Sequence, residues 1–273
     1  MTTDQPIRVA VNGALGRMGQ TVLGAVETDP ATIPVGGADR AASADTVTVP
    51  GGGAVRLAPS LAGLLSTVDA DVVVDFSNGE GAVEAMEAAT SAGVRVVSGS
   101  TGVPAGELER LGAVAAERGV AIISASNFAL GAVMMMYLAE IAGPHFQFAD
   151  LIESHHEAKI DSPSGTALSI ARSARAGRDG DFSYNEPETL TLDGVRGGLL
   201  GGVNVHSARM PGRMARHELV FGTSGQTLAI VHDTINRDCY MPGVLAAVKR
   251  VMTLTGLMVG LDQVLGLRDP AKP

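Results

Sequence analysis

The chain has 273 residues, 45% of them hydrophobic and 18% charged, so it can bury one large core or two modest ones. Its formal net charge of −9 argues against nucleic acid as the main partner, and an anionic ligand must be attracted by local positive charge. Cys239 stands alone and cannot form an internal disulfide, and the longest apolar run, 128–139, is too short to span a bilayer. No basic, apolar leader is evident, so we expect a cytoplasmic protein.

The N-terminal segment predicts a strand, a glycine turn and a helix in that order. Ile7–Val11 alternates as strands do, and Gln20–Glu27 has helical spacing. The glycines between them permit a tight bend and the close approach of a pyrophosphate, and Gly19 lets the helix lie near the sheet. The spacing departs from G-x-G-x-x-G, and such a segment can also be merely a tight turn. The cofactor contacts predicted in this turn are Gly13, Ala14, Leu15, Gly16, Arg17 and Met18.

An acidic residue is expected about 20 positions further on, at the end of the second strand, where it would hold the adenosine ribose. Asp39 fits, because it ends the plausible strand Ile33–Asp39. An aspartate favours the free 2′-hydroxyl of NADH, whereas Arg17 and Arg40 could bind the 2′-phosphate of NADPH. We therefore predict that Asp39 and Arg40 contact NADH, NADPH or both; alternatively, Asp39 only begins the next turn.

Strand and helix patterns continue to alternate through the first half of the chain. The predicted strands are Asp71–Phe76, Val94–Ser98 and Val120–Ser124, and the predicted helices are Glu80–Ala92 and Ala105–Arg118. This order is typical of an α/β, Rossmann-like doubly wound parallel sheet. Ligands of such sheets bind at the carboxyl ends of the strands, so the polar turns there are candidate cofactor contacts.

Beyond Phe128 the alternation weakens, and the pattern predicts a second, smaller α+β domain. It contains a helix-like stretch to Gly143 and a second helix, Ala167–Ala174. Its predicted strands are Phe148–Ser154, Val203–Arg209, His217–Phe221 and Thr227–His232. We place a dinucleotide-binding domain at residues 1–127 and the second domain at 128–237.

The segment Glu153–Ala167 contains two imidazoles, an amine and a Ser-Gly-Thr turn within fifteen residues. Ser164 to Thr166 follow a proline and open a helix, whose first N–H groups attract anions. The segment thus places a proton donor beside a cradle for a carboxylate. The alternatives are that Ser164 or Thr166 is an ordinary helix cap, and that Lys159 and Asp161 form a solvated loop pair.

Two other features are given less specific interpretations. The adjacent His155 and His156 would point to opposite sides of an extended segment, so we expect no metal site. Basic residues crowd a later region, and we interpret them as a solvated face or a subunit contact. They are Arg209, Arg213, Arg216, His206 and His217.

The fifteen-residue segment resembles the signature E-x-H-x-x-x-K-x-D-x-P-S-G-T-A of the 4-hydroxy-tetrahydrodipicolinate reductase (dihydrodipicolinate reductase) family. Every fixed position is met, by Glu153, His155, Lys159, Asp161, Pro163, Ser164, Gly165, Thr166 and Ala167. The glycine turn is also similar to the family's G-x-x-G-R-M-G loop. The resemblance extends over nearly the whole chain, as far as Arg237 and the closing helix.

The resemblance implies NADH- or NADPH-dependent reduction of 4-hydroxy-2,3,4,5-tetrahydrodipicolinate, through dihydrodipicolinate, to tetrahydrodipicolinate in lysine and diaminopimelate biosynthesis. It implies hydride transfer to C4, with His155 as the general acid and Lys159 as its catalytic partner. The implied substrate contacts are His156, Ser164, Gly165, Thr166 and Arg237. Further cofactor contacts are implied at Gly99, Ser100, Thr101, Ala125, Ser126, Asn127 and Phe128, although the family more often has Gly-Thr-Thr at the first of these turns.

The resemblance further implies that residues 238–273 return to complete the dinucleotide domain. It also implies that 128–237 is a substrate-binding and oligomerisation domain, through which four copies assemble. Three rival hypotheses stay open: a dehydrogenase of an amino-acid semialdehyde, a non-enzymatic nicotinamide sensor and an oligomeric scaffold. The first would share the N-terminal half but has no need of the His155–Ala167 segment. A sensor could lose His155 and Lys159, and a scaffold would need neither motif.

Overall fold

The computed structural model describes residues 5–268, which form two compact units. The first unit runs to Ala129 and resumes at Tyr240, and the second comprises Leu130–Cys239. Within the described residues, no helix combines the length and the apolar character that crossing a membrane requires.

The chain contains thirteen strands and eight α-helices within the described range. The strands are β1 (Ile7–Asn12), β2 (Thr32–Ala38), β3 (Thr46–Thr48), β4 (Ala54–Ala58), β5 (Val72–Asp75), β6 (Arg95–Ser98), β7 (Ala121–Ser124), β8 (Phe148–His155), β9 (Gly198–Leu200), β10 (Val203–Arg209), β11 (Ala215–Thr223), β12 (Gln226–Thr234) and β13 (Gly256–Val259). The helices are α1 (Arg17–Thr28), α2 (Leu61–Leu65), α3 (Gly79–Ser91), α4 (Ala105–Glu117), α5 (Leu130–Ala142), α6 (Gly165–Ala176), α7 (Met241–Val251) and α8 (Leu261–Val264).

The first unit is built on an eight-stranded sheet in the order β13-β7-β6-β5-β1-β2-β4-β3. All neighbours are parallel except the edge pair β3 and β4. The chain leaves β1 toward β2 on one side and later returns to β5 on the other side. The strand order therefore reverses at β1, which makes its carboxyl end the expected ligand position of a doubly wound sheet.

Small and branched side chains hold this sheet and its helices together. Val72, Val73 and Val74 have no exposed surface, as expected of a parallel strand covered on both faces. Each fully buried valine contributes about 1.5–3 kcal/mol of hydrophobic free energy. Gly19 lies so close to the preceding turn that a Cβ atom there would stand 2.1 Å from the carbonyl oxygen of Gly13. The start of α1 therefore packs directly on the glycine turn, where a residue with a side chain would not fit.

The second unit contains a five-stranded mixed sheet in the order β12-β11-β8-β10-β9. Strands β8 and β10 are parallel, and the other neighbours are antiparallel. Leu151, Leu219 and Phe221 point from one face into a core shared with Ile170 of α6 and Met135 of α5. The predicted fold class, a parallel Rossmann-like sheet plus a smaller α+β unit, is confirmed.

Candidate active site

The glycine turn of the first unit lies at the reversal of strand order. It begins after β1 and leads into α1, whose N-cap is Gly16. Because glycine has no side chain to cap a helix, the first N–H groups of α1 are available to an anionic ligand such as a pyrophosphate. Among the predicted contacts in this turn, Ala14 is fully buried, whereas Leu15 and Arg17 are exposed.

Asp39 follows β2 and ties two backbone segments together. Its carboxylate accepts hydrogen bonds from the N–H of Leu15 at 3.0 Å and the N–H of Ala41 at 2.9 Å. The neighbouring Arg40 donates to the carboxylate of Glu84 at 2.8 Å. Both Asp39 and Arg40 line a cleft of about 470 Å³, together with Gly13 and Gly16 of the glycine turn. A volume of this size suits a nucleotide, and the open N–H groups at its wall suit a pyrophosphate.

The turns that follow β6 and β7 also lie together. Gly99 packs against the ring of Phe76, and a Cβ atom there would stand 2.1 Å from Cε1 of that ring. Phe76 meets Phe128 edge to face, with ring centroids 5.8 Å apart. Ala125 donates its N–H to the carbonyl of Ser98 at 3.0 Å. Phe76 was not among the predicted cofactor contacts, although it directly follows β5, where ligands of such a sheet are expected.

The remaining predicted cofactor contacts differ in how far their side chains are exposed to solvent. Ser100 is buried, whereas Thr101 and Ser126 are exposed. Asn127 is half-buried, and its side chain accepts a hydrogen bond from the N–H of Ala129 at 2.9 Å. The Asn127 side chain thus shapes the turn in which it lies, while exposed Thr101 and Ser126 are accessible to a ligand.

In the second unit, β8 ends in a buried acid–imidazole pair. His155 donates from Nδ1 to Oε2 of Glu153 at 2.5 Å, and the Glu153 side chain has no exposed surface. Arg209 donates to both oxygens of the same carboxylate, at 2.9 and 3.0 Å. Burial favours a raised pKa for Glu153, but the hydrogen bonds from His155 and Arg209 outweigh it and lower the pKa to about 2. Glu153 is therefore ionised at neutral pH.

A second imidazole lies beside this pair. The His217 ring meets the His155 ring edge to face, with centroids 5.3 Å apart, and its Nε2 lies 3.2 Å from Oγ of Ser164. Burial, followed by the charge of His155, lowers the pKa of His217 to about 4. The Glu153 carboxylate lies near both rings, but the imidazole hydrogen bond that the structure gives it is to His155. The arrangement keeps His217 neutral at neutral pH and places the anion next to His155.

The loop between β8 and α6 is anchored to the same pair. Arg209 donates to the carbonyl oxygen of Asp161 at 2.6 Å, and Ser164 donates its N–H to Glu153 at 3.2 Å. Lys159 pairs with the Asp161 carboxylate at 2.6 Å, and this contact lowers the pKa of Asp161. The loop pair considered from the sequence is thus present, and Arg209 fixes its backbone to the buried cluster.

Helix α6 begins at Gly165, within the segment Ser164 to Thr166 that was predicted to open a helix. Its N-cap is Ser164, whose hydroxyl accepts a hydrogen bond from the N–H of Ala167 at 3.1 Å. The capping alternative is therefore correct for Ser164. Gly165 is exposed and Thr166 is half-buried. Since the start of α6 follows the loop that carries Lys159, an amine and a helix N-terminus lie in one short segment.

Two predicted substrate contacts lie away from the hydrogen bonds of the Glu153 cluster. His156 is the first residue after β8 and is half-buried. Arg237 is also half-buried and begins a short 3-10 turn, Arg237–Tyr240. The structure gives no hydrogen bond that joins either side chain to Glu153 or His155, so their roles stay predictions.

The prediction of a solvated basic face or subunit contact is wrong for Arg209 and His217. Arg209 is mostly buried and His217 is buried, and both belong to the Glu153 cluster. Arg216 does lie on the opposite face of the sheet, where it pairs with Glu218 at 3.0 Å and with Asp233. The physical reason for the error is strand alternation, which separates residues that are close in sequence.

Glu153, His155 and His217 also form a group whose possible metal-ligand atoms lie within 4.8 Å of one another. The Glu153 carboxylate already accepts from Arg209, from His155 and from the N–H of Ser164. A cation there would meet the guanidinium of Arg209 at close range, which is unfavourable. We interpret the group as a hydrogen-bonded cluster rather than a metal centre.

A doubly wound sheet with a glycine turn at its reversal point defines a dinucleotide-binding protein of the Rossmann type. Two family models match the chain: "Dihydrodipicolinate reductase, N-terminus" over residues 7–128 and "Dihydrodipicolinate reductase, C-terminus" over residues 131–265. The chain belongs to the dihydrodipicolinate reductase family, whose members are oxidoreductases.

Individual relatives agree with this family. The chain is 40% identical to the 4-hydroxy-tetrahydrodipicolinate reductase of Dehalococcoides mccartyi (strain CBDB1), covering 96% of this chain and 99% of the relative. It is 38% identical to the enzyme of the same name from Moorella thermoacetica, over 95% and 98%. A dipicolinate-bound dihydrodipicolinate reductase from Paenisporosarcina sp. TG-14 has a similar structure, with a TM-score of 0.85, 32% identity and coverage of 95% and 99%.

Proposed function

We propose that this protein reduces 4-hydroxy-2,3,4,5-tetrahydrodipicolinate, through the dihydrodipicolinate formed from it by loss of water, to tetrahydrodipicolinate in lysine and diaminopimelate biosynthesis. Its membership of the family and the names of its relatives support the reaction. The observation that carries the proposal is the buried Glu153–His155 pair, anchored to the loop of Lys159 and the start of α6. A proton donor, an amine and a helix N-terminus suit a dicarboxylate whose reduction ends in a proton transfer.

The cleft of the first unit would hold the cofactor, NADH or NADPH. The amides at the start of α1 would bind the pyrophosphate, and Asp39 would bind the adenosine ribose. When bound, the cofactor supplies hydride to C4 of the conjugated imine. Both cofactors suit the cleft. Asp39 favours NADH, whereas Arg40 could leave Glu84 to bind the 2′-phosphate of NADPH.

His155 would protonate the reduced substrate from its Nε2 atom. Its Nδ1–H is held by Glu153, so Nε2 is the nitrogen left to face a substrate. The ionised Glu153 accepts this hydrogen bond and so fixes the orientation of the ring. As C4 gains hydride, electron density moves toward the ring nitrogen, and the resulting enamine takes the Nε2 proton. The imidazole then returns to its neutral form and regains a proton from water.

Lys159 and the start of α6 would bind a substrate carboxylate and the developing negative charge. Lys159 is already held in place by Asp161, which limits the conformational entropy that it loses on binding. The N–H groups of Gly165 and Thr166 would add partial positive charge. His156 and Arg237 are proposed to bind the substrate as well, on the basis of the family resemblance.

We also propose a homotetramer formed through the second unit. The face of its sheet opposite to the helices exposes Ile152 and Val231, at 44% and 47%. The strand register places both beside Glu218, which pairs with Arg216. Exposed apolar side chains with charged residues beside them suit a subunit contact, which has an apolar core and a polar rim. Light scattering coupled to gel filtration should give a four-chain mass.

A spectrophotometric assay tests the reaction. Absorbance at 340 nm should fall when the protein is mixed with NADH or NADPH and freshly generated 4-hydroxy-tetrahydrodipicolinate. Pyridine-2,6-dicarboxylate should compete, because it has the two carboxylates but no reducible imine; the solved relative from Paenisporosarcina is described as dipicolinate-bound. Robust reduction of an amino-acid semialdehyde, insensitive to the pyridine dicarboxylate, would instead favour the first rival. Cofactor binding without turnover would favour a sensor.

A further inference from the structure

Asp75, the last residue of β5, is a wholly buried carboxylate that none of the proposed chemistry uses. Five hydrogen bonds converge on it, all from uncharged donors. Oδ1 accepts from Asn12 Nδ2 at 2.8 Å and from the N–H and hydroxyl of Ser77 at 3.2 and 2.6 Å. Oδ2 accepts from the hydroxyls of Ser98 and Ser100, both at 2.8 Å. The carboxylate therefore joins the ends of three adjacent strands: β1, β5 and β6.

The Oδ2 atom of Asp75 holds the turn after β6 through the hydroxyls of Ser98 and Ser100, an arrangement that we call the clamp. Ser98 and Ser100 both donate to Asp75, and the N–H of Ser100 also donates to the hydroxyl of Ser98 at 3.3 Å. Ser98 and Ser100 are both buried, so these hydroxyls have little access to water. With both hydroxyls held by one carboxylate, the backbone from residue 98 to residue 100 has little freedom to move.

On the Oδ1 side, Asp75 holds the position of the glycine turn. Asn12 immediately precedes that turn and is fixed by its bond to Asp75. Asp75 thus sets the distance between the pyrophosphate loop and the turn after β6. Because β5 lies between β1 and β6, these two segments would contact different parts of a bound dinucleotide.

Strand order indicates which part each segment contacts. Asp39 stands past β2, on one side of β1, and would hold the adenosine ribose. Ser100 stands past β6, three strand spacings from β2, which is about 14 Å at the usual spacing. A dinucleotide whose pyrophosphate lies at β1 extends in both directions across this edge. The turn after β6 therefore faces the nicotinamide half.

We propose that Asp75 is a positioning residue that fixes the turn of Ser98–Ser100 for the nicotinamide half of the cofactor. This inference rests on the proposed use of a nicotinamide dinucleotide. A carboxylate suits the task because it only accepts hydrogen bonds, so all its donors must point inward. An asparagine would bring its own donor amide to one side. Since the backbone N–H of Ser77 cannot reverse, that amide would turn toward the two serines and loosen the clamp.

Binding measurements on the free protein test this assignment. Ser100→Ala removes one bond to Asp75, and Asp75→Asn weakens both serine bonds. Ser124→Ala is a matched control, because Ser124 is a buried serine at the end of neighbouring β7 and has no bond to Asp75 among the described contacts. For each variant, the Kd of NADH is measured by fluorescence and the Kd of ADP-ribose, which lacks nicotinamide, by calorimetry.

Ser100→Ala and Asp75→Asn should weaken NADH about tenfold, within the range for one lost hydrogen bond to a charged acceptor, and leave ADP-ribose almost unchanged. Ser124→Ala should alter neither ligand. Equal weakening of both ligands, or no change in NADH, would overturn the assignment and leave Asp75 a structural residue. If Asp75→Asn fails to fold, Ser98→Ala decides instead, because Ser98 also donates to Asp75 and is not among the predicted cofactor contacts. Failure of the unmodified protein to bind any nicotinamide dinucleotide would overturn the proposed function itself, which separates the two failures.

Discussion

Asp75 in the first unit and Glu153 in the second are both buried carboxylates near the carboxyl end of a strand, yet their surroundings differ. Each has no exposed surface. Asp75 accepts only from uncharged hydroxyl, amide and backbone groups. Glu153 accepts from the guanidinium of Arg209 and from the imidazole of His155. Burying a carboxylate is costly unless hydrogen bonds or an opposite charge compensate it, and both sets of partners provide that compensation.

The difference in hydrogen-bond partners indicates that Asp75 and Glu153 have different roles. Uncharged donors around Asp75 come from the backbone turns themselves, so the carboxylate fixes backbone geometry. The guanidinium of Arg209 balances the negative charge of Glu153, and the carboxylate in turn orients the His155 ring and keeps Arg209 in place. A substitution at the second cluster should therefore impair chemistry more than cofactor binding, and a substitution at the first should do the reverse.

The largest expected effect is on turnover at the second cluster. His155→Gln and Lys159→Met should each lower kcat by roughly 10²–10⁴-fold, the usual range for a positioned acid–base group, with NADH binding nearly unchanged. Together they should cost less than the product of the single effects, because both serve one charge-transfer event. Steady-state kinetics and NADH titration measure this, and near-normal turnover of His155→Gln would mean that the proton comes from elsewhere.

Matched controls exist for both changes. His145→Gln alters an exposed histidine of the same unit, and Lys249→Met alters a lysine that pairs with Asp29 in the first unit. Neither should change kcat appreciably. His156→Gln should raise KM for the substrate more than it lowers kcat, because its proposed partner is a carboxylate present throughout the reaction.

Glu153→Gln should have the next largest effect. The variant loses an anionic acceptor for His155, so kcat should fall roughly 10- to 100-fold, the equivalent of one hydrogen bond to a charged group. A positioning residue acts through its partner, so the same change in a His155→Gln background should cost much less. Glu107→Gln is the control, because Glu107 is an ion-paired glutamate on α4 of the first unit and has no proposed role. Equal losses in both backgrounds would mean that Glu153 only supports the fold.

The pH dependence of stability should separate His217 from Glu153. The pKa of His217 is lowered to about 4 in the folded protein, from an ordinary 6.5. Between these values the unfolded chain binds more protons, so the free energy of unfolding should fall as the pH drops from about 6.5 toward 4, by up to about 3 kcal/mol. The pKa of Glu153 is lowered from 4.5 to about 2, so its contribution is lost only as the pH falls through that lower range.

Urea unfolding of the unmodified protein and of His217→Gln at several pH values measures this. The decline between pH 6.5 and 4 should be shallower in the variant. Part of it should persist, because burial also lowers the pKa of His232, a histidine beside His217 on the neighbouring strand. Parallel curves for the two proteins would contradict the assignment of the decline to His217.

The fold was predictable from the sequence where strand and helix patterns are long. The alternation up to β7 predicted the doubly wound sheet, and strands such as β5 and β6 begin or end within about a residue or two of the predicted bounds. The segment of β3, β4 and α2 was not assigned. These elements have only three to five residues each, which is too short for a periodic pattern to be recognised.

The site was less predictable, because its partners are set by strand register. His155 and Lys159 stood out as a motif, but Arg209 was grouped with Arg216 on the basis of sequence proximity. In the structure Arg209 pairs in register with His155 across two parallel strands, whereas Arg216 lies beside Ser154 and faces the other way. Knowing that β8 and β10 are neighbours would have identified Arg209. The sequence alone does not fix which strands are adjacent.

The smallest expected effect concerns Asp39, which is half-buried. Like Asp75 it accepts hydrogen bonds from backbone N–H groups, and it is also proposed to contact the cofactor directly. Asp39→Ala removes the proposed partner of the ribose 2′-hydroxyl, which NADPH does not present, so NADH should weaken about tenfold. NADPH should weaken less, though measurably, because the Leu15 N–H that shapes the glycine turn also loses its acceptor. Glu84→Gln is the control: it releases Arg40 without touching the turn, so NADPH should bind slightly better and NADH should be unaffected. Equal losses of both cofactors in Asp39→Ala would show that Asp39 acts as Asp75 does, through the backbone alone.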